Sequence, residues 1–323
     1  MKVFLTGSAG FIGFHTAKAL LEQGQIVHGY DSVNSYYDPF YKEIRLKVLR
    51  TFPNFHFTQG LLEDATALST AYLACEPTHV IHLAAQAGVR YSIENPHAYI
   101  SSNIVGFQNI LELVRQYRPE NFVYASSSSV YGSNTQLPFS ESHTTASPIS
   151  LYAATKLSNE LVAHSYTHLY KIPTTGLRFF TVYGPYGRPD MALFQFAVRM
   201  ERGEKIPVFN HGQMVRDFTY VDDIVAGILA VLAKPEQGGI YNLGRGNREP
   251  LLRMIEVLEQ ALGIQADKEF LPLQAGDVVE TSADITNARE KLGYDPQTGI
   301  EVGIPRFIEW YRSVHPRSLT FTK

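Results

Sequence analysis

A chain of 323 residues, 45% of them hydrophobic, has enough apolar side chains to bury a large core and falls in the range of one big domain or two closely packed ones. Its 28 basic and 31 acidic residues leave a formal charge of −3, without the basic excess that nucleic acid or an acidic membrane selects, so small molecules are the expected partners. A single cysteine, Cys75, excludes an intrachain disulfide, and its apolar neighbours read as a core position in a protein of a reducing compartment.

The first residues reach Gly7 after a short apolar run, too soon for a signal peptide or a membrane span, and a cytoplasmic protein is expected. Short apolar runs then recur between amphipathic stretches: Val3–Leu5, Ile26–Tyr30, Phe55–Thr58, Val80–Leu83, Phe122–Ala125 and Thr174–Leu177. This alternation predicts repeated βαβ units, hence an α/β fold of Rossmann type with a doubly wound parallel sheet. The intervening helices carry apolar residues at helical spacing, as in Ile104, Phe107, Ile110, Leu111 and Val114. Beyond Gly184 the chain is punctuated by Pro185, Gly187, Pro189, Gly203, Pro207 and Gly212, with a further helix expected over Glu249–Leu262. The reading is a nucleotide-binding domain over 1–180, a smaller C-terminal α/β lobe over 181–315 with the chain crossing between the two, and a polar tail over 316–323.

Gly7, Gly10 and Gly13 are spaced three and three between the first strand and the first helix. Such a turn suits a pyrophosphate, because glycine lets the backbone approach closely and the helix N-terminus offers unpaired N–H groups. Asp31, at the end of the second strand, falls where an adenosine ribose presents its hydroxyls; it would repel a 2′-phosphate, so NAD is expected over NADP.

Ser126, Ser127, Ser128 and Ser129 follow the fifth strand, and Tyr152 and Lys156 lie four apart on one helix face. A free tyrosine, with a pKa of about 10, is a poor base at neutral pH. The expectation is that the Lys156 ammonium and a positive nicotinamide favour the phenolate, letting Tyr152 take a hydroxyl proton while hydride leaves the same carbon and Ser127 holds the oxygen.

Together these residues make the chain resemble the extended short-chain dehydrogenase/reductase superfamily almost from end to end. His82–Gln86, Asn103, Val130–Gly132, Arg216–Phe218 and Val221–Asp223 carry the likeness further. It implies cofactor contacts from Gly7, Ala9, Gly10, Phe11, Ile12, Gly13, Asp31, Leu61, Leu83, Ala84, Ala85, Gln86, Asn103, Tyr152, Lys156 and Phe180. Within the superfamily, Ala84–Pro96, Leu177–Leu193 and Asn210–Ile224 resemble the UDP-glucuronate 4-epimerases. That likeness implies a UDP-sugar substrate, with Phe209 stacking on uracil, Arg216 on the diphosphate, Thr181 and Arg188 facing the sugar carboxylate, and Ala192, Leu193 and Asp277 also on the substrate side. It further implies a homodimer joined by the helices Asn95–Tyr117 and Leu151–Tyr170.

Oxidising C4 of a glucuronate makes a β-keto acid prone to lose CO₂, so an epimerase must hold the carboxylate by directed bonds; Arg188, Thr181, Ser128 and Ser129 are the candidates. The related 4,6-dehydratases carry an Asp-Glu pair where this chain has Ser128 and Ser129, and UDP-glucuronate decarboxylases keep a Glu at the second position. Without those carboxyl groups the acid and base for elimination are missing. UDP-glucuronate decarboxylation, sugar-nucleotide 4,6-dehydration and UDP-glucose/galactose 4-epimerisation stand as the enzyme alternatives and an NAD-sensing scaffold as the non-enzyme one; such scaffolds usually lose Tyr or Lys, and both are present. Two departures stand out: Gly60 is followed by Leu61 rather than Asp, and Gln274 stands where UDP-galactose epimerases carry arginine. His164 and His168 lack a third ligand, so no metal is expected, and Tyr36, Tyr37 and Tyr41 are given no role.

Overall fold

A computed structural model describes residues 1–274 and 276–315; the expected tail, 316–323, lies outside the described residues. Strands β1 (Lys2–Thr6), β2 (Ile26–Asp31), β3 (Phe55–Gln59), β4 (His79–His82), β5 (Asn121–Ser127) and β6 (Thr174–Phe179) realise the six apolar runs as one parallel sheet. Their order is β3-β2-β1-β4-β5-β6, and a seventh strand, Gln237–Leu243, adds to the β6 edge. The seventh escapes a hydrophobicity reading because its first residues, Gln237 and Gly238, are open to solvent at the sheet margin, Gly239 is half-buried, and the pairing there is irregular. The Rossmann-type parallel fold is therefore as the sequence implies, one strand wider.

Both faces are covered, as a parallel sheet requires. One face carries the helices Phe11–Glu22, Phe40–Leu49, Val221–Leu232 and Thr286–Leu292; the other carries Ala65–Cys75, Gly106–Tyr117 and Leu151–Tyr170. Phe107, Ile110, Leu111 and Val114 are all buried, each contributing roughly 1.5–3 kcal/mol relative to exposure. Cys75 is buried too, and burial pushes its thiol up to about 11. Residues 181–315 are not confined to the smaller lobe, since Val221–Leu232 and Gln237–Leu243 return to the sheet. The lobe itself holds three two-stranded pairs and a third core built on Phe194, Ile255, Phe307, Trp310 and Tyr311. Its expected helix at Glu249 begins instead at Leu251, because Glu249–Pro250 pairs antiparallel with Val215–Arg216.

The long helix anticipated over Asn95–Tyr117 contains a π-helical stretch, Ile100–Val105, between the α-helical segments Pro96–Tyr99 and Gly106–Tyr117. Such wide turns are uncommon and often sit beside functional sites; this one carries Asn103. Among the described residues no helix is long and apolar enough to cross a membrane.

Candidate active site

Strand order reverses between β1 and β4, and crevices in open parallel sheets form outside such points. Gly7 follows β1 there with φ +78°, and a Cβ on it would lie 2.7 Å from the Ala84 nitrogen beyond β4. At Gly13 a Cβ would stand 2.0 Å from the Gly7 carbonyl oxygen. The helix Phe11–Glu22 starts from Gly10 with no side-chain cap and no acid in its first turn, leaving its leading N–H groups for an anion. This cradle fits a dinucleotide pyrophosphate.

A cavity of about 880 Å³ extends from that turn across the ends of β4, β5 and β6 to the smaller lobe, at the upper end of the range of about 300–1,000 Å³ for small-molecule sites. On the nucleotide side its wall takes in Gly7, Gly10, Phe11, Ile12, Gly13, Asp31, Leu61, Leu83, Ala84, Ala85 and Gln86, with Phe180 further along. The Asp31 carboxylate is fixed by the N–H groups of Ala9 (3.1 Å) and Val33 (2.8 Å). Beside it Lys42 Nζ donates to the Asn34 carbonyl and side-chain oxygens, at 2.9 and 2.7 Å; burial lowers its pKa, with the Asp31 charge opposing.

Three expected contacts lie behind the wall rather than in it. Ala9 is fully buried, its N–H engaged by Asp31 and its carbonyl by Arg45. Asn103, on the π-helical stretch, turns its side chain to the Gln86 N–H (2.8 Å), the Gln86 carbonyl (3.0 Å) and Thr155 Oγ1 (3.1 Å), so it shapes the Leu83–Gln86 segment. Leu193 packs into the small-lobe core, whereas its neighbour Ala192 reaches the cavity.

In the middle, Ser150 caps the helix Leu151–Tyr170 by accepting from the Ala153 N–H at 3.1 Å, setting Tyr152 and Lys156 on the cavity face. Lys156 Nζ donates to the Ala125 carbonyl of β5 at 2.9 Å, and burial lowers its pKa to about 8. Burial raises the Tyr152 phenol; a hydrogen bond with Ser127 and the charge of Arg188 oppose it. Ser127 and Arg188 thus ease ionisation of Tyr152 here, while the Lys156 ammonium is anchored on the strand one turn further along the helix. Ser127 Oγ donates to Ser129 Oγ at 3.1 Å, and Ser127, Ser128 and Ser129 all line the cavity.

One further turn along, Glu160 forms a two-point ion pair with Arg178 of β6 (2.9 and 2.7 Å) and accepts from Ser126 Oγ at 2.5 Å. Arg178 Nη1 reaches the Tyr131 hydroxyl at 3.0 Å, and that hydroxyl donates to Asn242 Oδ1 at 2.7 Å. This buried network pins the helix Leu151–Tyr170 to both neighbouring strands. Sequence reasoning passed over Glu160, although the steps 152, 156 and 160 put it on the same stripe.

On the sugar side, Thr181 lines the cavity from a short strand whose N–H donates to the Asp217 carbonyl at 3.1 Å. Arg188 is also in the wall, but its guanidinium is held in two-point contact by Asp190, with Nε to Oδ1 at 3.0 Å, and Tyr36 Oη donates to the same carboxylate at 3.1 Å. Burial works to raise the Asp190 carboxyl, yet Arg188 beside it holds it below the ordinary range. Asp190 was not singled out from sequence; its position two residues after Arg188 was the available signal. Phe209 lies under the Arg90 guanidinium, 5.1 Å from ring centroid, and Arg90 pairs with Asp277 at 3.1 Å. Arg216 donates to the Val215 and Val279 carbonyls, both at 2.9 Å, and to that of Val278 at 2.7 Å; burial lowers its pKa, with Asp277 opposing. Gln274 is placed with its side-chain oxygen buried and without a hydrogen-bond partner among the described residues.

Comparison with known proteins agrees with this geometry. Residues 3–244 match the model of the NAD dependent epimerase/dehydratase family. Protein CapI of Staphylococcus aureus is 50% identical over 329 residues, covering 96% of this chain and 98% of that protein. A probable UDP-glucuronate 4-epimerase of Rhizobium meliloti is 44% identical, covering 99% of both. The UDP-glucuronic acid 4-epimerase of Bacillus cereus, solved with UDP-glucuronic acid and NAD, superposes with a TM-score of 0.92 at 34% identity, over 97% of this chain and all of that one (100%).

Proposed function

Because the chain belongs to the NAD dependent epimerase/dehydratase family, we propose that it interconverts UDP-glucuronate and UDP-galacturonate by epimerising C4 through a transient 4-keto sugar. It is an isomerase of an NAD-dependent family, and a bound NAD would supply the hydride chemistry at C4, accepting the hydrogen from one face and returning it to the other. The chain supplies the rest. The cradle of Gly7, Gly10 and Gly13 holds the pyrophosphate and Asp31 the adenosine ribose. Tyr152 Oη takes the 4′-hydroxyl proton and later returns it, while Ser127 holds the same oxygen. Lys156, fixed on the Ala125 carbonyl, borders the nicotinamide ribose. Thr181, Ser128, Ser129 and Arg188 keep the carboxylate charged and in place, which opposes loss of CO₂. Phe209 takes the uracil, with Arg216 and Arg90 near the diphosphate.

One observation carries this reading: a single cavity brings Tyr152 and Arg188 together with Ser127, Ser128 and Ser129, hydroxyls where an elimination enzyme needs carboxyl groups. The test is to incubate the pure protein with UDP-glucuronate, adding no cofactor, and to identify products by NMR. UDP-galacturonate is expected; a pentose nucleotide alone, or no change, contradicts the assignment. The ion pair of Arg188 with Asp190 favours a second reading, epimerisation of an uncharged UDP-hexose, since the arginine already has a carboxylate. Equal turnover of UDP-glucose and UDP-glucuronate is the result that selects it.

The same proposal includes a homodimer formed through Gly106–Tyr117 with its π-helical lead-in and Leu151–Tyr170. Its support is the exposure of Val105, Leu161 and Leu169 on those helices, at 44%, 62% and 65%. A cytoplasmic setting accords with the one buried thiol, Cys75. Nucleotide binding is assigned mainly to 1–180 and sugar binding mainly to 181–315. Light scattering coupled to size exclusion reads the oligomer directly.

A further inference from the structure

Arg45, on the helix Phe40–Leu49, is fully buried and forms no ion pair with a carboxylate among the described residues. A buried cation in that situation depends on directed acceptors, and this one has a full set. Nη1 donates to the Ala9 carbonyl at 2.9 Å and to the Tyr37 hydroxyl at 2.8 Å. Nε reaches the Tyr186 carbonyl at 3.1 Å, and Nη2 reaches those of Tyr186 at 2.8 Å and Gly187 at 3.1 Å.

These acceptors belong to two segments far apart in sequence. Ala9 lies inside the glycine turn, and its N–H holds Asp31. Tyr186 and Gly187 immediately precede Arg188, which lines the sugar side. Two lesser ties run in parallel: His15, on the helix after the turn, bonds the Pro185 carbonyl through Nε2 at 2.8 Å, and Tyr36 bonds Asp190. Of the three, only Arg45 grips the turn and the loop at once.

We propose that Arg45 is a positioning residue that couples the two halves of the site: the conformation of the glycine turn sets loop 184–190, and with it Arg188, so a bound sugar nucleotide tightens the hold on NAD. Reciprocity follows from linkage, since any coupling of two binding sites acts equally in both directions. The inference rests on the reading of the cavity as a site for NAD and a UDP-sugar. It does not require Arg45 to touch either ligand.

Arg45→Lys keeps a positive charge but replaces a five-donor fork with a compact ammonium, which does not span acceptors on both segments. Release of NAD from the holoenzyme is timed with and without UDP-glucuronate. In the wild type the sugar nucleotide slows release about tenfold, since an affinity change of the size found for coupled sites, about 5–150-fold, falls mostly on the off-rate. In Arg45→Lys release is faster and the ratio falls to about one. A variant that is merely looser releases NAD faster with the ratio unchanged; that outcome, or a wild-type ratio of one, overturns the proposal. Hydrogen exchange on the wild-type holoenzyme gives a result that does not depend on the variant folding: UDP-glucuronate is expected to protect the amides of 7–13 together with those of 184–190, and protection of 184–190 alone overturns the coupling. Turnover of UDP-glucuronate is scored separately. Were it absent, the substrate reading would fail and the release ratio would be taken with UDP-glucose, leaving the coupling its own result.

Discussion

The nucleotide half of the cavity is shaped by backbone, whereas the sugar half is shaped by charged side chains that already hold one another. Around Gly7 and Gly13 the close approach of main chain to main chain fixes the cradle, and Asp31 is locked by two N–H groups. Across the cavity Arg188 is paired with Asp190, Arg90 with Asp277, and Arg216 with the carbonyls of Val278 and Val279. A ligand for the first half meets the leading N–H groups of the helix Phe11–Glu22, which carry no side-chain cap. One for the second must exchange partners with groups that are internally satisfied, a means of discriminating by charge rather than by shape.

Four substitutions press on that contrast, in falling order of effect. Tyr152→Phe, at the boundary, removes the proposed proton acceptor and is expected to lower turnover by about 10²–10⁴, with NAD content of the purified protein unchanged. Loss of NAD along with activity would mean that the tyrosine is part of the cradle. Gly13→Ala drives a methyl against the Gly7 carbonyl; NAD affinity should fall by about a hundredfold, the upper end of the 1–3 kcal/mol that overpacking costs. Retained NAD, measured after gentle denaturation, would show that the cradle yields.

His15 ties the two halves, and its pKa is lowered to about 4 by burial, with the hydrogen bond to Pro185 opposing. The fold holds it neutral while the unfolded chain binds a proton, so its contribution is complete above pH 6.5 and is lost as pH falls towards 4. His15→Gln should flatten the decline of the melting temperature across that window, removing about 3 kcal/mol of pH dependence. His82, lowered to about 3 by burial, titrates with the same sign and stays in both proteins. An unchanged slope would show that His15 is not held neutral. Asp190→Asn has the mildest effect. Without that counter-charge Arg188 acts more strongly on Tyr152, the phenol ionises at lower pH, and the limb of kcat that rises with pH moves to lower pH. A shift to higher pH contradicts the electrostatic link.

The same contrast explains what is legible in the sequence. Glycine spacing, apolar strands and the four-residue step from Tyr152 to Lys156 are local patterns, and they give the doubly wound parallel sheet directly, while the strand order with its reversal between β1 and β4 comes from the structure. Asp190, Arg45 and Glu160 have no such pattern, because a charge in sequence does not name its partner; Arg45 meets Ala9 and Gly187 only once the chain has crossed the molecule. Strand Gln237–Leu243 is hidden by its glycines, and the π-helical stretch at Asn103 has the apolar spacing of the helix that surrounds it. Ala9, Asn103 and Leu193, ligand contacts by resemblance, stand one layer back, where they support the wall.

The central claim is that the hydrogen leaving C4 comes back to C4 of the same sugar without elimination or loss of CO₂. UDP-glucuronate carrying deuterium at C4, incubated with the purified protein in ordinary water, tests it most directly. NMR and mass analysis should find UDP-galacturonate with the deuterium still at C4 and no pentose nucleotide; protium at that carbon, or a pentose product, would contradict the account.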